Sequence, residues 1–173
     1  MPSFTITPVD TQEDLTSTIT LFESYAQSLG IDLTFQNFAT EMANMPGKYA
    51  PPTGALLLAR VTTSNKAIGC VGLRPLPIAG VCEMKRLYVD PRGRGSKVGK
   101  ALAHSVIEEA KRLGYRTMRL DMLPSMTSAV ELYKSLGFVE TEAYYQTPLE
   151  GTIFLELQLP SPTKEDVDRG SGY

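Results

Sequence analysis

Histidine and cysteine are almost missing from this sequence: one His and two Cys, Cys70 and Cys82, in 173 residues. The thiols lack Cys-x-x-Cys spacing and no group of histidines complements them, so no resident metal is expected. Free thiols in a reducing compartment are the expected state. Long apolar runs are absent too, none reaching the about 18 residues that a membrane span needs. The opening residues MPSFTITPVD carry neither the basic nor the apolar region of a secretory signal. A cytoplasmic protein with no membrane partner is expected. Nor is there a cationic excess, because a formal net charge of -2 removes whole-surface attraction to nucleic acid or anionic lipid. Anion recognition, if present, must be local.

What is present fits one domain, since 173 residues with 42% hydrophobic content suffice for a sizeable core. Phe4 to Val9 reads as a strand. Thr11, with Asp14 three residues on, caps a helix whose apolar face is Leu15, Ile19, Phe22, Ala26 and Leu29, ended by Gly30. Phe35, Phe38, Ala39 and Met42 share one face of a second helix stopped by Pro46-Gly47. The period then changes, and Ala55 to Thr62, Lys66 to Pro75 and Cys82 to Val89 read as a three-stranded meander. Val98 to Leu113 is an amphipathic helix with His104 on its polar side, closed by Gly114. A strand from Arg116 to Met122, a helix from Met126 to Leu136, and strands Phe138 to Gln146 and Thr152 to Leu159 follow. The order is βααβββαβαββ, an α/β chain of the mixed α+β kind. Residues 160–173 have too little apolar area to offset ordering entropy and are expected to form a flexible tail.

Six of the 17 Lys and Arg residues (Lys85, Arg86, Arg92, Arg94, Lys97 and Lys100) fall between positions 85 and 100, with Asp90 the one acid among them. There a strand ends, glycines intervene and a helix begins, so unsatisfied N–H groups and the positive helix end converge on an anion site. A P-loop would need Gly at 94 and Ser or Thr at 101, where Arg94 and Ala101 stand. A dinucleotide fingerprint starting at Gly93 would need a small residue where Val98 stands.

Arg94-Gly95-Ser96-Lys97-Val98-Gly99 after a strand resembles the R-x-x-G-x-G/A loop of the GNAT acetyltransferases, with Lys97 where that family usually has glycine. LYVDPRGRG, KVGKALAHSVIEEAKRLGY, RLDMLP and AVELYKSLGF are similar to consecutive GNAT segments in order and spacing. The resemblance implies a single GNAT-like domain over 1–159, with a mixed, mostly antiparallel central sheet flanked by helices. It also implies acetyl-coenzyme A as co-substrate. Leu87, Tyr88 and Val89 would pair with the pantetheine arm. Arg94 and the N–H groups of Gly95, Ser96, Lys97, Val98, Gly99 and Lys100 would hold the pyrophosphate, while an N–H near Leu87 would polarise the thioester carbonyl. Tyr133, in A-x-x-x-Y from Ala129, stands at the position of the family's general acid. Met126 stands where many members have asparagine.

Acyl transfer to an amine requires the neutral nucleophile, so a carboxylate must accept a proton directly or through water. Glu83 is the first candidate, expected to share a strand face with Lys85, Leu87 and Val89; Asp121 is the second. With Glu142 they would form a negative pocket for a cationic amine. Tyr144, Tyr145 and Tyr25 are candidate substrate walls. Met118, Met122 and Met126 are acyl-channel candidates that read equally as core filler, and Cys70 and Cys82 read as buried thiols. The expected function is N-acetyl transfer by direct attack of a primary amine on a small molecule or peptide. The alternative is a GNAT-fold sensor that binds acyl-coenzyme A without turnover.

Overall fold

The computed structural model describes residues 3–160, so the expected tail lies, apart from Pro160, outside the described residues. β1 (Phe4–Pro8) leads to α1 (Gln12–Leu29) and the short α2 (Phe38–Ala43). The meander β2 (Ala55–Val61), β3 (Ala67–Pro75) and β4 (Val81–Val89) follows, then α3 (Val98–Arg112), β5 (Thr117–Met122), α4 (Thr127–Ser135), β6 (Val139–Glu140) and β7 (Ile153–Gln158). The order is the expected βααβββαβαββ. At the start of α1 the Thr11 hydroxyl accepts from the Asp14 N–H at 3.1 Å, and at its end Gly30 takes φ 62°, where a side chain would be strained.

One seven-stranded sheet runs β1-β2-β3-β4-β5-β7-β6. β4 and β5 are parallel, and the other pairs are antiparallel. Alternation along the strands splits the core in two. α3 covers one face, its Leu102, Ala103, Val106 and Ala110 packing on Leu57, Val71, Leu73, Cys82, Met84 and Met118. On the other face, Leu21 and Phe22 of α1 pack with Tyr49, Leu56, Leu58 and Cys70. Cys70 and Cys82 are both buried and free, in different clusters, so neighbouring strands do not bring them face to face. Among the described residues no helix is long and apolar enough to cross a membrane.

Two expectations about strands are corrected. The strand read from Phe138 to Gln146 shrinks to Val139–Glu140, and the chain then leaves the sheet edge. Val139 is 65% exposed and offers little to bury, whereas Tyr144 and Tyr145 stack edge-on against Phe154 at 5.2 and 5.3 Å and draw the chain inward. In β4 the face shared by Glu83, Lys85, Leu87 and Val89 does not exist. Lys85 pairs with Gly72 and Tyr88 with Cys70, leaving Arg86 and Leu87 opposite the single Val71. This bulge, with Arg86 at φ 59°, flips the alternation. Leu87 and Val89 join the core under α3, while Arg86 turns to the α1 and α2 side, against Tyr25, Phe38 and Glu41.

Candidate active site

The parallel strands β4 and β5 pair over Val81–Glu83 and Thr117–Arg119 and then part. Beyond Glu83, β4 presents an unpaired edge toward the opening. A cavity of about 110 Å³ lies there, walled by Lys85, Arg86 and Leu87 of β4, Asp121 and Met122 of β5, Tyr25 of α1, Gln36, and Met126, Ala129 and Tyr133 at α4. Met122 and Met126 therefore touch the opening, whereas Met118 is core.

Beside Leu87, Tyr25 and Tyr133, two expected carboxylates, each paired with an expected tyrosine, stand at this cleft, Asp121 on the cavity wall and Glu83 behind it. Glu83, at the cleft vertex, is 1% exposed, and both carboxylate oxygens are occupied: Arg74 Nε donates to Oε1 at 2.8 Å and the Tyr144 hydroxyl to Oε2 at 2.5 Å. Asp121 is held the same way, by Lys85 Nζ on Oδ1 at 3.3 Å and the Tyr145 hydroxyl on Oδ2 at 2.7 Å. Burial alone would raise the Asp121 pKa, but the Lys85 charge and the Tyr145 hydrogen bond outweigh it and hold the carboxyl below its ordinary 3.8. Folding lowers this pKa, so Asp121 adds stability above the ordinary value, and that addition is lost as the pH falls through the folded value. Burial, then Glu83, pushes Tyr144 up, and burial, then Asp121, pushes Tyr145 up; both phenols stay protonated and donate.

The expected negative pocket is instead charge-balanced. Glu142 is exposed and stands outside it. Arg74, Lys85 and Arg86 match Glu41, Glu83 and Asp121, through Arg74–Glu83, Lys85–Asp121 and the Arg74 and Arg86 pairs with Glu41. Arg86, Arg74, Glu41 and Gln36 are the site residues that sequence reading missed. Three charged residues, Glu83 and the adjacent cations Lys85 and Arg86, inside the strand VCEMKRLYV were the available signal.

Tyr133 is 7% exposed, stacked on Phe138 with centroids 5.5 Å apart, and lines the cavity. Its hydroxyl makes no hydrogen bond to the described residues, and burial raises its pKa, so the phenol stays neutral and able to donate. Tyr88 is turned from the cleft and packs edge-on to Tyr25 at 6.3 Å, so only its backbone belongs to the β4 edge.

From Val89 the chain passes through a 3-10 turn, Pro91–Gly93, capped by Asp90, into α3. The α3 cap residue, Lys97, makes no side-chain capping bond, and the Ser96 hydroxyl donates to the Gly93 carbonyl rather than capping the helix. Among the described residues the N–H groups from Gly95 to Lys100 have no backbone acceptor; the first helical bond is Ala101 N–H to Lys97 O, at 3.0 Å. Nothing lies within 4 Å of where a Gly95 side chain would begin, and Arg94, Lys97 and Lys100 are exposed around this open cradle. Such a concave set of donors at a positive helix end fits a phosphate group. Lys97 sits at φ 63°, which explains why glycine suits this position. Left-handed backbone costs a lysine about 1–2 kcal/mol, and glycine returns roughly half as chain entropy. Lys97→Gly is therefore expected to stabilise the fold by about 0.5–1 kcal/mol, read as a raised urea midpoint with unchanged m.

Fold and cleft together define the class as an acyltransferase fold. The chain belongs to the GNAT acetyltransferase family, whose model matches residues 20–138. An uncharacterized N-acetyltransferase of Schizosaccharomyces pombe is 43% identical over 157 residues, covering 91% of this chain and 96% of the relative. Among solved structures, a GNAT-family acetyltransferase from Staphylococcus aureus superposes with a TM-score of 0.74 at 22% identity, over 91% of this chain and 100% of its own. A candidate acetyltransferase from Salmonella typhimurium, solved with its cofactor acetyl-CoA, has a TM-score of 0.64 at 21% identity, over 91% of this chain and 94% of its own.

Proposed function

We propose that the protein is a cytoplasmic N-acetyltransferase that moves the acetyl group of acetyl-coenzyme A onto a primary amine of a small molecule or peptide by direct attack. One juxtaposition carries this reading: an unpaired strand edge, a neutral buried tyrosine and an ionised carboxylate border one cleft, and the strand that forms the edge leads through a single 3-10 turn to an uncapped helix end. Acetyl-coenzyme A supplies an acetyl group activated as a thioester. The backbone edge of Leu87, Tyr88 and Val89 would take the pantetheine arm as another strand would. Arg94, Lys97 and the N–H groups of Gly95, Ser96, Val98, Gly99 and Lys100 suit the pyrophosphate. An N–H near Leu87 would stabilise the charge that grows on the thioester oxygen.

In the transfer a C–N bond forms and the thioester C–S bond breaks. A substrate ammonium loses two protons: one goes to a carboxylate, and the other balances the proton that Tyr133 gives to the departing sulfur. Glu83 and Asp121 together serve as the acceptor, Asp121 being the member on the cavity wall and Glu83 the deeper one.

Mixing the protein with acetyl-coenzyme A and a panel of amines should release free thiol. Tight binding with no release for any acceptor would favour the non-catalytic sensor. Asp121→Asn is expected to lower kcat/KM about 100-fold at neutral pH and to remove the acidic limb of its pH profile. If Glu83→Gln removes that limb and Asp121→Asn does not, the proton goes to Glu83; if neither does, the pair is not the base.

A further inference from the structure

Among the described residues, one buried side-chain nitrogen or oxygen lacks a hydrogen-bond partner: Nη2 of Arg86. The rest of that guanidinium is tightly specified. Nε donates to Glu41 Oε2 at 3.2 Å and Nη1 to Gln36 Oε1 at 3.0 Å. The Phe38 and Tyr25 rings lie 5.0 and 5.9 Å from its central carbon. The side chain is 2% exposed and lines the cleft cavity. A buried donor left unpaired is costly, more so on a cation, so Nη2 calls for a partner from outside the chain, a water, an ion or a ligand. The backbone adds to that cost, because Arg86 occupies the left-handed region inside a strand, and strain of this kind collects at binding sites. Without the bulge the side chain would point under α3.

We infer that Arg86 receives a carboxylate of the acceptor, which is therefore a small amino-carboxylate such as a free amino acid. This rests on the acetyltransferase reading and names its substrate class. A guanidinium presents its donors in a planar fork that matches a carboxylate. Glu41 and Gln36 take Nε and Nη1, which leaves Nη2 as the donor still open to an added acceptor. Three cations already balance three carboxylates around the cleft, so one added monoanion is tolerated more easily than a dianionic phosphate. The cavity, about 110 Å³, suits a small molecule and also carries Asp121 and the Tyr133 hydroxyl, so carboxylate, amine and proton donor share one enclosure.

The test compares L-alanine, L-leucine, L-phenylalanine and L-glutamate with their α-carboxamides and their α-decarboxylated amines, monitoring thiol release from acetyl-coenzyme A. At least one amino acid should exceed its amide and amine by about 100-fold in kcat/KM. Arg86→Gln should bring that ratio to within a few-fold, and Arg86→Lys should leave it intermediate. Comparing substrates on the unaltered protein keeps the test standing if a variant fails to fold. A calorimetric arm needs no turnover: the N-acetylated amino acid should bind and its amide should not. Equal turnover of acids and amides would overturn the carboxylate site while leaving acetyl transfer intact. Carboxylate-dependent binding with no thiol release from any amine would support the Arg86 site and overturn the transfer reading. Neither binding nor release would overturn both.

Discussion

Tyr133→Phe is expected to lower kcat by about 100- to 1000-fold while leaving KM and the unfolding midpoint close to those of the unaltered protein. The substitution removes one oxygen. Its ring contact with Phe138, at 5.5 Å between centroids, survives, and the hydroxyl has no partner in the described protein whose loss would destabilise the fold. What disappears is a proton donor facing the cleft, and a positioned general acid contributes about 100- to 10,000-fold. The loss should fall on kcat because the departing sulfur needs that proton only as its bond breaks. Tyr25 supplies the control, since it lines the same cavity and burial pushes its phenol up to about 12. If Tyr25→Phe shows the loss and Tyr133→Phe does not, the acid is Tyr25.

Local chemistry wrote much of this fold into the sequence. Thr11 with Asp14 and Gly30 bounds α1 because capping is decided within a few residues. The cradle from Gly95 to Lys100 was legible for the same reason: a strand end, glycines and a helix start are neighbours in the chain. The approach of Glu83 and Asp121 follows from the order of β4 and β5, whereas Tyr144 and Tyr145 reach them from outside the sheet. Tyr144 reaches Glu83 across 61 residues and Tyr145 reaches Asp121 across 24, and no local pattern says which hydroxyl meets which carboxylate.

Register was the part that could not be read. Alternation along CEMKRLYV gives Glu83, Lys85, Leu87 and Val89 one face, and one inserted residue is enough to reverse it. The insertion is visible only against β3, where Val71 faces two residues of β4. That same insertion turns Arg86 toward the cleft, so the error in the strand and the missed functional residue have one cause. Glu41 and Gln36 were missed for a related reason. They belong to a segment whose sequence shows a helix but not which of its polar groups will lie over the sheet.

Glu41→Ala is expected to destabilise the protein by about 3–5 kcal/mol, the cost of leaving a buried cation without its counter-charge. α2 spans six residues, none of them fully buried, and its Phe38 and Met42 pack partly against the α1-side core. Glu41 adds the polar anchor, accepting from Tyr49 at 3.2 Å and Arg74 at 3.3 Å through Oε1 and from Arg86 at 3.2 Å through Oε2. Arg74 would keep Glu83 after the substitution, whereas Arg86 would keep only the neutral Gln36. The damage should therefore pass mainly through Arg86, and a double-mutant cycle in urea can read it. Glu41→Ala with Arg86→Met should be clearly more stable than Glu41→Ala alone, because the second change removes the stranded charge. If the two losses simply add, Glu41 stabilises the fold through Tyr49 and Arg74, and the Arg86 pair contributes nothing measurable.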